Sequence, residues 1–215
     1  MTQERRTRVL VVDDSAIVRK VLSDILGAQP DLEVVGTAPD PYIARDKILA
    51  LSPDVLTLDI EMPRMDGLTF LNRIMRYHPL PVIVISSLAQ SSTRAAMEAL
   101  SQGAVDVLAK PGGPYSVGDL KEDLPRRVRA AARSRLSAPK ATVPATDRPT
   151  RPAQPVVPHV NARDMIIALG ASTGGTQAIE RVLTALPAAM PPIVITQHIP
   201  PVFSTAFAER LNKVC

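Results

Sequence analysis

The sequence predicts an α/β chain: a five-stranded, doubly wound parallel sheet, a Pro-rich linker, then the first βα units of a second α/β domain of Rossmann-like type. Three observations carry that expectation. From residue 8 to about 125, short apolar runs alternate with segments of helical periodicity, the pattern of repeated βα units. Three of those runs end in charged side chains: Arg8–Val12 leads into Asp13 and Asp14, Asp54–Leu58 into Asp59, and Val105–Ala109 into Lys110-Pro111. Prolines crowd the chain after Leu136, and the βα pattern resumes near Asp164.

The elements follow in order. Arg8–Val12 is the first strand. Beyond Asp14, the residues Ile17, Val18, Val21, Leu22, Ile25 and Leu26 fall on one face at helical spacing, and Gly27 is the expected stop. Glu33–Thr37 reads as a second strand and Pro41–Leu51 as a second helix. Leu68–Tyr77 is a third helix closed by His78-Pro79, Val82–Ile85 a fourth strand, Gln90–Gln102 a fourth helix and Val105–Leu108 a fifth strand. A last helix is expected from about Val117 to Arg135. The first domain is thus placed at 1–125 with its final helix running on to about 135, the linker at 136–163 and the second domain at 164–215.

In the linker, Pro139, Pro144, Pro149, Pro152, Pro155 and Pro158 oppose helix and sheet and favour an extended tether. Past it, Met165–Leu169 reads as a strand, Gly170–Gly175 as a turn, Thr176–Leu186 as a helix, Pro192–Thr196 as a strand and Ser204–Val214 as a helix.

Composition narrows the class. The chain has 215 residues, enough for one large domain or two smaller ones. Hydrophobic residues make up 46% but aromatics only 3%, so the core must be aliphatic. Cys215 is the single cysteine, which excludes an internal disulfide and favours a reducing compartment. Met1–Arg8 is charged and has no apolar stretch of a secretory signal. No apolar run approaches the ~20 residues that span a bilayer, so no membrane insertion is expected and the location expected is cytoplasmic. Net charge is +4, yet residues 126–163 hold nine Lys or Arg against one acid, Asp147. Such a stretch could attract nucleic acid. With no recognition helix or interleaved aromatics after it, a solvated helix face and tether is the better reading, and no nucleic-acid partner is expected.

The charged strand ends name a chemistry. In an open parallel sheet, ligands bind outside the carboxyl ends of the strands. Asp13, Asp14, Asp59 and Lys110 would then share one crevice. Hard oxygen ligands of this kind suit Mg²⁺. Asp59 can accept a phosphoryl group as an acyl phosphate, with Asp13 and Asp14 holding the metal and Asp59 as a further ligand. Lys110 would neutralise the phosphoryl oxygens, and the Ser86 hydroxyl, at the end of the fourth strand, would bind the incoming group. The alternative is a set of solvated acids with a surface lysine.

Residues 8–125 resemble the receiver domain of bacterial two-component response regulators. Asp13-Asp14, Asp59, Met62-Pro63, Asp66-Gly67, Ser86 and Lys110-Pro111 stand where that family's motif has them. The resemblance implies phosphorylation at Asp59 by a histidine kinase, and a metal held by Asp14, Asp59 and the backbone carbonyl of Glu61, with Asp13 acting mostly through water. It also implies a cis Lys110–Pro111 bond. The chain departs from many receivers at Val107, where they carry an aromatic residue.

A second constellation follows the linker. Gly170-Ala-Ser172-Thr-Gly174 fits G-x-S-x-G between a predicted strand and a predicted helix, the context of a nucleophile elbow. Amides at the helix start could stabilise an oxyanion. A phosphate loop is the rival, although Thr176 stands where it would need lysine, and a plain strand-to-helix turn is the third reading. Of the three histidines, only His198 follows a strand, and parallel neighbours would bring it near Ser172 as a general base. A histidine that merely caps its turn is the alternative.

A receiver, a Pro-rich tether, Gly-Ala-Ser-Thr-Gly-Gly and Gln-His-Ile-Pro-Pro together resemble the chemotaxis methylesterase (CheB) family. The resemblance implies hydrolysis of glutamate methyl esters on methylated chemoreceptors, with deamidation of glutamines, and a chemotaxis histidine kinase as phosphodonor. Ser172 would attack and His198 shuttle the proton. The unphosphorylated receiver would cover the esterase surface. That family's third catalytic residue is an aspartate in a Gly/Asp-rich loop far downstream of the histidine. No such segment follows His198 here, and Asp164 and Glu209 do not fit its motif. The expectation is therefore a chain cut short within the esterase domain and inactive as an esterase. The competing readings are a stand-alone phosphoreceiver or phosphate sink and a transcriptional regulator, the last suggested only by the basic stretch.

Overall fold

The structure is a computed structural model that describes residues 5–111, 117–134, 165–187 and 189–215. The alternating apolar runs form β1 (Thr7–Val12), β2 (Leu32–Ala38), β3 (Val55–Asp59), β4 (Val82–Ser86) and β5 (Asp106–Ala109). They pair in the order β2-β1-β3-β4-β5, every pair parallel. Between them lie α1 (Ala16–Gly27), α2 (Pro41–Leu51), α3 (Gly67–Tyr77) and α4 (Gln90–Ser101), and α5 (Val117–Ala132) follows β5. The doubly wound expectation holds.

Side chains alternate across each strand, and that alternation builds two cores. Val9, Val11, Ile83 and Ile85 pack with Leu22, Leu26, Leu120, Leu124 and Val128 of α1 and α5. Leu10, Val12, Leu56 and Leu58 pack on the opposite face with Ile48, Phe70, Ile74, Met97 and Leu100 of α2, α3 and α4. Every residue of β3 and β4 is buried, as expected of parallel strands covered on both faces.

Helix starts have local causes. Ser15, Asp40 and Asp66 each cap a helix by accepting from an amide of its first turn. Gly67 sits so close to β3 that a Cβ would lie 2.2 Å from the Asp59 carbonyl oxygen and 2.7 Å from Ile60 Cα. Backbone cannot yield as a flexible side chain does. Gly67→Ala is therefore expected to destabilise the domain by about 3 kcal/mol or more, read as a lower urea midpoint, and an unchanged midpoint would refute this packing.

The second unit has β6 (Ile167–Ala171), α6 (Gly175–Ala185), β7 (Ile193–Gln197) and α7 (Pro201–Val214), with β6 and β7 forming a parallel pair. It packs on the first. Ile179 of α6 and Phe203 and Phe207 of α7 join the core that contains α4. Gln177 Nε2 donates to the carbonyls of Leu100 (2.7 Å) and Ala104 (3.0 Å), and the Gly174 amide donates to that of Val105 (3.1 Å). No helix among the described residues is long and apolar enough to cross a membrane.

Four expectations need correction. Gly27 is still helical and Ala28 is the cap. Ile17 is exposed, because it lies at the edge of the α1 stripe centred on Leu22 and Ile25. Gly170 and Ala171 belong to β6, held there by pairing with Thr196 and Gln197. Lys110–Pro111 is trans, the form an X-Pro bond favours without a compensating contact. The linker expected at 136–163 lies outside the described residues, as does Asp164.

Candidate functional site

Parallel register carries the charged residues to one end of the sheet. Asp13 follows β1, Asp59 ends β3, and Lys110 follows β5. Lys110 Nζ lies 2.7 Å from Asp59 Oδ2 and 3.3 Å from Asp13 Oδ2. The Glu61 amide donates to Asp59 Oδ1 (3.0 Å) and the Ser15 amide to Asp13 Oδ1 (2.8 Å). Those bonds fix both carboxylates and leave Oδ2 of Asp13 buried with no hydrogen bond of its own. Carboxylate oxygens of Asp13, Asp14 and Asp59 lie within 4.8 Å of one another. A hard cation fits this donor set: three carboxylates converge, and one buried oxygen lacks a hydrogen-bond donor.

Of the other expected residues, Ser86 is buried at the end of β4 and its hydroxyl is shared between the carbonyls of Ser87 and Ser92 (3.3 Å each). The Glu61 side chain turns to the Ser92 hydroxyl, away from the acid cluster. Val107 is buried in the core opposite Val84.

Burial dominates the electrostatics. It pushes the Asp59 carboxyl up to about 6, against the Lys110 hydrogen bond that lowers it. Burial likewise raises Asp13. Burial lowers Lys110, but the hydrogen bond and charge of Asp59, with the charge of Asp13, outweigh it and leave the ammonium raised. The sign for Asp59 follows from linkage. Between its ordinary 3.8 and about 6, the unfolded chain is ionised while the folded one keeps its proton. The stability it contributes is complete below 3.8 and is lost as pH rises through about 6. Without metal, Asp59→Asn is expected to be more stable than wild type at pH 7 by up to about 3 kcal/mol. Urea denaturation in chelator should show that gap closing towards pH 4. A gap equal at both pH values would contradict it.

The second site forms where β6 turns into α6. Gly174 takes the left-handed conformation (φ 76°) in this turn, and Ser172 does not. A Cβ at Gly175 would lie 2.2 Å from Gln197 Oε1 and 2.6 Å from Ala171 Cβ, which forces this close turn to be glycine. The His198 amide donates to the Ala171 carbonyl (2.9 Å), extending the β6–β7 pairing by one residue. Ser172 Oγ and His198 Nδ1 are then 3.4 Å apart, a long contact. The amides expected to face an oxyanion are engaged: Gly175 donates to the Ser172 carbonyl (2.7 Å) and Gly174 to Val105 of the first unit.

Helix α5 reaches the same spot. Arg126 Nη2 lies 2.9 Å from His198 Nδ1, and Asp123 Oδ2 lies 4.0 Å from His198 Nε2. Arg127 is buried, pairs with Asp106 at 2.7 Å, and its other terminal nitrogen reaches the His198 carbonyl at 3.5 Å. Sequence reasoning missed Asp123, Arg126 and Arg127, and the two arginines read only as the start of a basic stretch. No spacing rule links Arg126 to a histidine 72 residues away.

Comparisons with known proteins find relatives for both parts of the chain. The response regulator receiver domain family matches residues 9–119, and the CheB methylesterase family matches residues 167–215. A protein-glutamate methylesterase/protein-glutamine glutaminase of Anaeromyxobacter dehalogenans is 55% identical over 212 residues, 98% of this chain and 58% of that protein. One from Salmonella typhimurium is 47% identical over 212 residues, 98% of this chain and 59% of that protein. The chain thus spans about three-fifths of the length of such relatives. Among solved structures, the response regulator domain of Thermotoga maritima CheB aligns with 61% of this chain and 99% of its own, with 44% identity and a TM-score of 0.55.

Proposed function

This chain belongs to the CheB methylesterase family of response regulators, and from that membership we propose that it is a phosphorylation-controlled protein-glutamate methylesterase. It hydrolyses glutamate methyl esters of chemoreceptors in the cytoplasm and deamidates receptor glutamines. The observation that supports this reading is the meeting of two chemistries in one chain: a buried acid cluster on Lys110, and a Ser172–His198 pair packed against the same domain.

In the receiver, an Asp59 carboxylate oxygen attacks the phosphorus of a phosphohistidine on a chemotaxis kinase, the P–N bond breaks, and the kinase imidazole leaves as the acyl phosphate forms. Asp13, Asp14, Asp59 and the Glu61 carbonyl would hold Mg²⁺, which would supply charge neutralisation there. Lys110 takes one phosphoryl oxygen and Ser86 another. In the esterase part, His198 takes the Ser172 proton as the serine attacks the ester carbonyl, and returns it to the leaving methoxide as methanol. Water then releases the glutamate.

The 215 residues alone are expected to turn over slowly. Two parallel strands leave an open edge, and loss of the acid from such a triad costs on the order of 10⁴ in turnover. Methanol release from methylated receptor membranes is the direct assay. The 215 residues should stay at background. Joined to the C-terminal remainder of the Anaeromyxobacter relative, they should release methanol in a phosphodonor-stimulated manner that Ser172→Ala abolishes. Release that survives Ser172→Ala would remove Ser172 as the nucleophile, and no release from the joined protein would favour the second reading, a phosphoreceiver or phosphate sink. The long Ser172–His198 contact (3.4 Å) and the engaged Gly174 and Gly175 amides are what recommend that alternative.

A further inference from the structure

We propose that Gln197 is a positioning residue: its carboxamide ties the peptide that follows Ser172 to the strand that ends beside His198, and so sets the serine against its base. The proposal rests on the Ser172–His198 reading above. Gln197 is the last residue of β7 and pairs with Ala171, the residue before the serine. Its Nε2 donates to the Ser172 carbonyl at 2.9 Å and lies 3.4 Å from the His198 carbonyl. Two carbonyl oxygens face that end of the carboxamide, and only its NH2 can donate to them. The orientation of the group is therefore assigned by its partners.

Both peptides that flank Ser172 are thereby held to Gln197 and His198. The one before the serine is held through the Ala171 carbonyl, which accepts from the His198 amide (2.9 Å). The one after it is held through the Ser172 carbonyl, which accepts from Gln197. That carbonyl also accepts from the Gly175 amide (2.7 Å), but this second bond closes the turn on itself and carries no reference to the histidine. With both peptide planes fixed, the direction of the serine Cα–Cβ bond is fixed relative to His198, and Oγ stands 3.4 Å from Nδ1. A small closure brings it to the ~3 Å at which a base takes a proton. The demand for glycine at position 175 has in part the same cause, because a Cβ there would lie 2.2 Å from Gln197 Oε1. The elbow thus keeps room for this carboxamide.

Two measurements test it. In the 215-residue chain, a scalar coupling across the hydrogen bond from Gln197 Nε2 to the Ser172 carbonyl carbon reports the tie itself, and its absence would overturn the proposal. In the protein joined to the C-terminal remainder of the Anaeromyxobacter relative, methanol release is measured over a range of methylated receptor membranes. Active sites are counted by fluorophosphonate labelling run to completion. Gln197→Met keeps length and loses the donors, whereas Gln197→Glu keeps shape and turns an oxygen towards the Ser172 carbonyl. Per labelled site, kcat should fall about ten- to a hundredfold in both, the cost of a misplaced reacting group. KM should stay within about twofold, because the carboxamide bonds to backbone and not to the ester. A merely structural role would lower the number of labelled sites and leave kcat per site unchanged. That result in either variant would overturn the proposal, as would a raised KM at constant kcat. Failure of the underlying reading looks different: wild-type joined protein with neither methanol release nor Ser172 labelling would remove the catalytic pair, and the role of Gln197 with it.

Discussion

Asp59→Asn is expected to take up no phosphoryl group. Asp59 is buried at the end of β3, with one oxygen on the Glu61 amide and the other on Lys110. Asparagine has the same shape and preserves most of that packing. It replaces the attacking carboxylate oxygen with an amide that is a far weaker nucleophile, and it removes one of the three converging carboxylates. Loss of uptake would therefore report the chemistry and not a collapsed site. The measurement is intact mass after incubation with a small acyl phosphate and Mg²⁺. Wild type should gain one phosphoryl group, and chelator present from the start should prevent that gain. Equal uptake by the variant would place the acceptor elsewhere.

Arg127→Met is expected to destabilise the chain by about 3–5 kcal/mol, the usual consequence of removing one partner of a buried ion pair. The Arg127 side chain is 1% exposed and that of Asp106 5%, with Nη1 and Oδ1 2.7 Å apart. Methionine fills much of the volume but leaves the Asp106 carboxylate buried and uncompensated. Replacing both, as Arg127→Met with Asp106→Leu, should recover most of the loss, because the uncompensated charge is gone. Denaturant midpoints of the single and double variants decide this. A double variant as unstable as the single one would mean that Arg127 acts through its shape or its contact with His198, not through Asp106.

Much of the receiver was legible because its signals are local. Apolar alternation marks each strand, Asp40 and Asp66 stand at the cap positions of their helices, and the chemistry-bearing residues lie directly at strand ends where parallel topology must gather them. The elbow was legible for the same reason: Ser172 and His198 each follow a strand by one residue. Its details were not. No spacing reveals that Gly174 takes the positive φ or that Gly175 lies hard against Gln197 and Ala171. The contact of α5 with His198 is still less local, because it depends on how one unit docks on the other. The apolar residues that make that docking, Phe203 and Phe207, look like any helix face in the sequence.

The central claim is that phosphorylation at Asp59 loosens the receiver from the Ser172–His198 face. Amide hydrogen exchange at the docking contacts measures it most directly. Gly174, whose amide is bonded to the Val105 carbonyl, and the α6 and α7 segments around Ile179, Phe203 and Phe207 report the interface. With phosphodonor and Mg²⁺, exchange there should accelerate in wild type and stay unchanged in Asp59→Asn, while β3 and β4 remain protected in both. Full phosphate on Asp59 with unaltered exchange at those contacts would contradict the account.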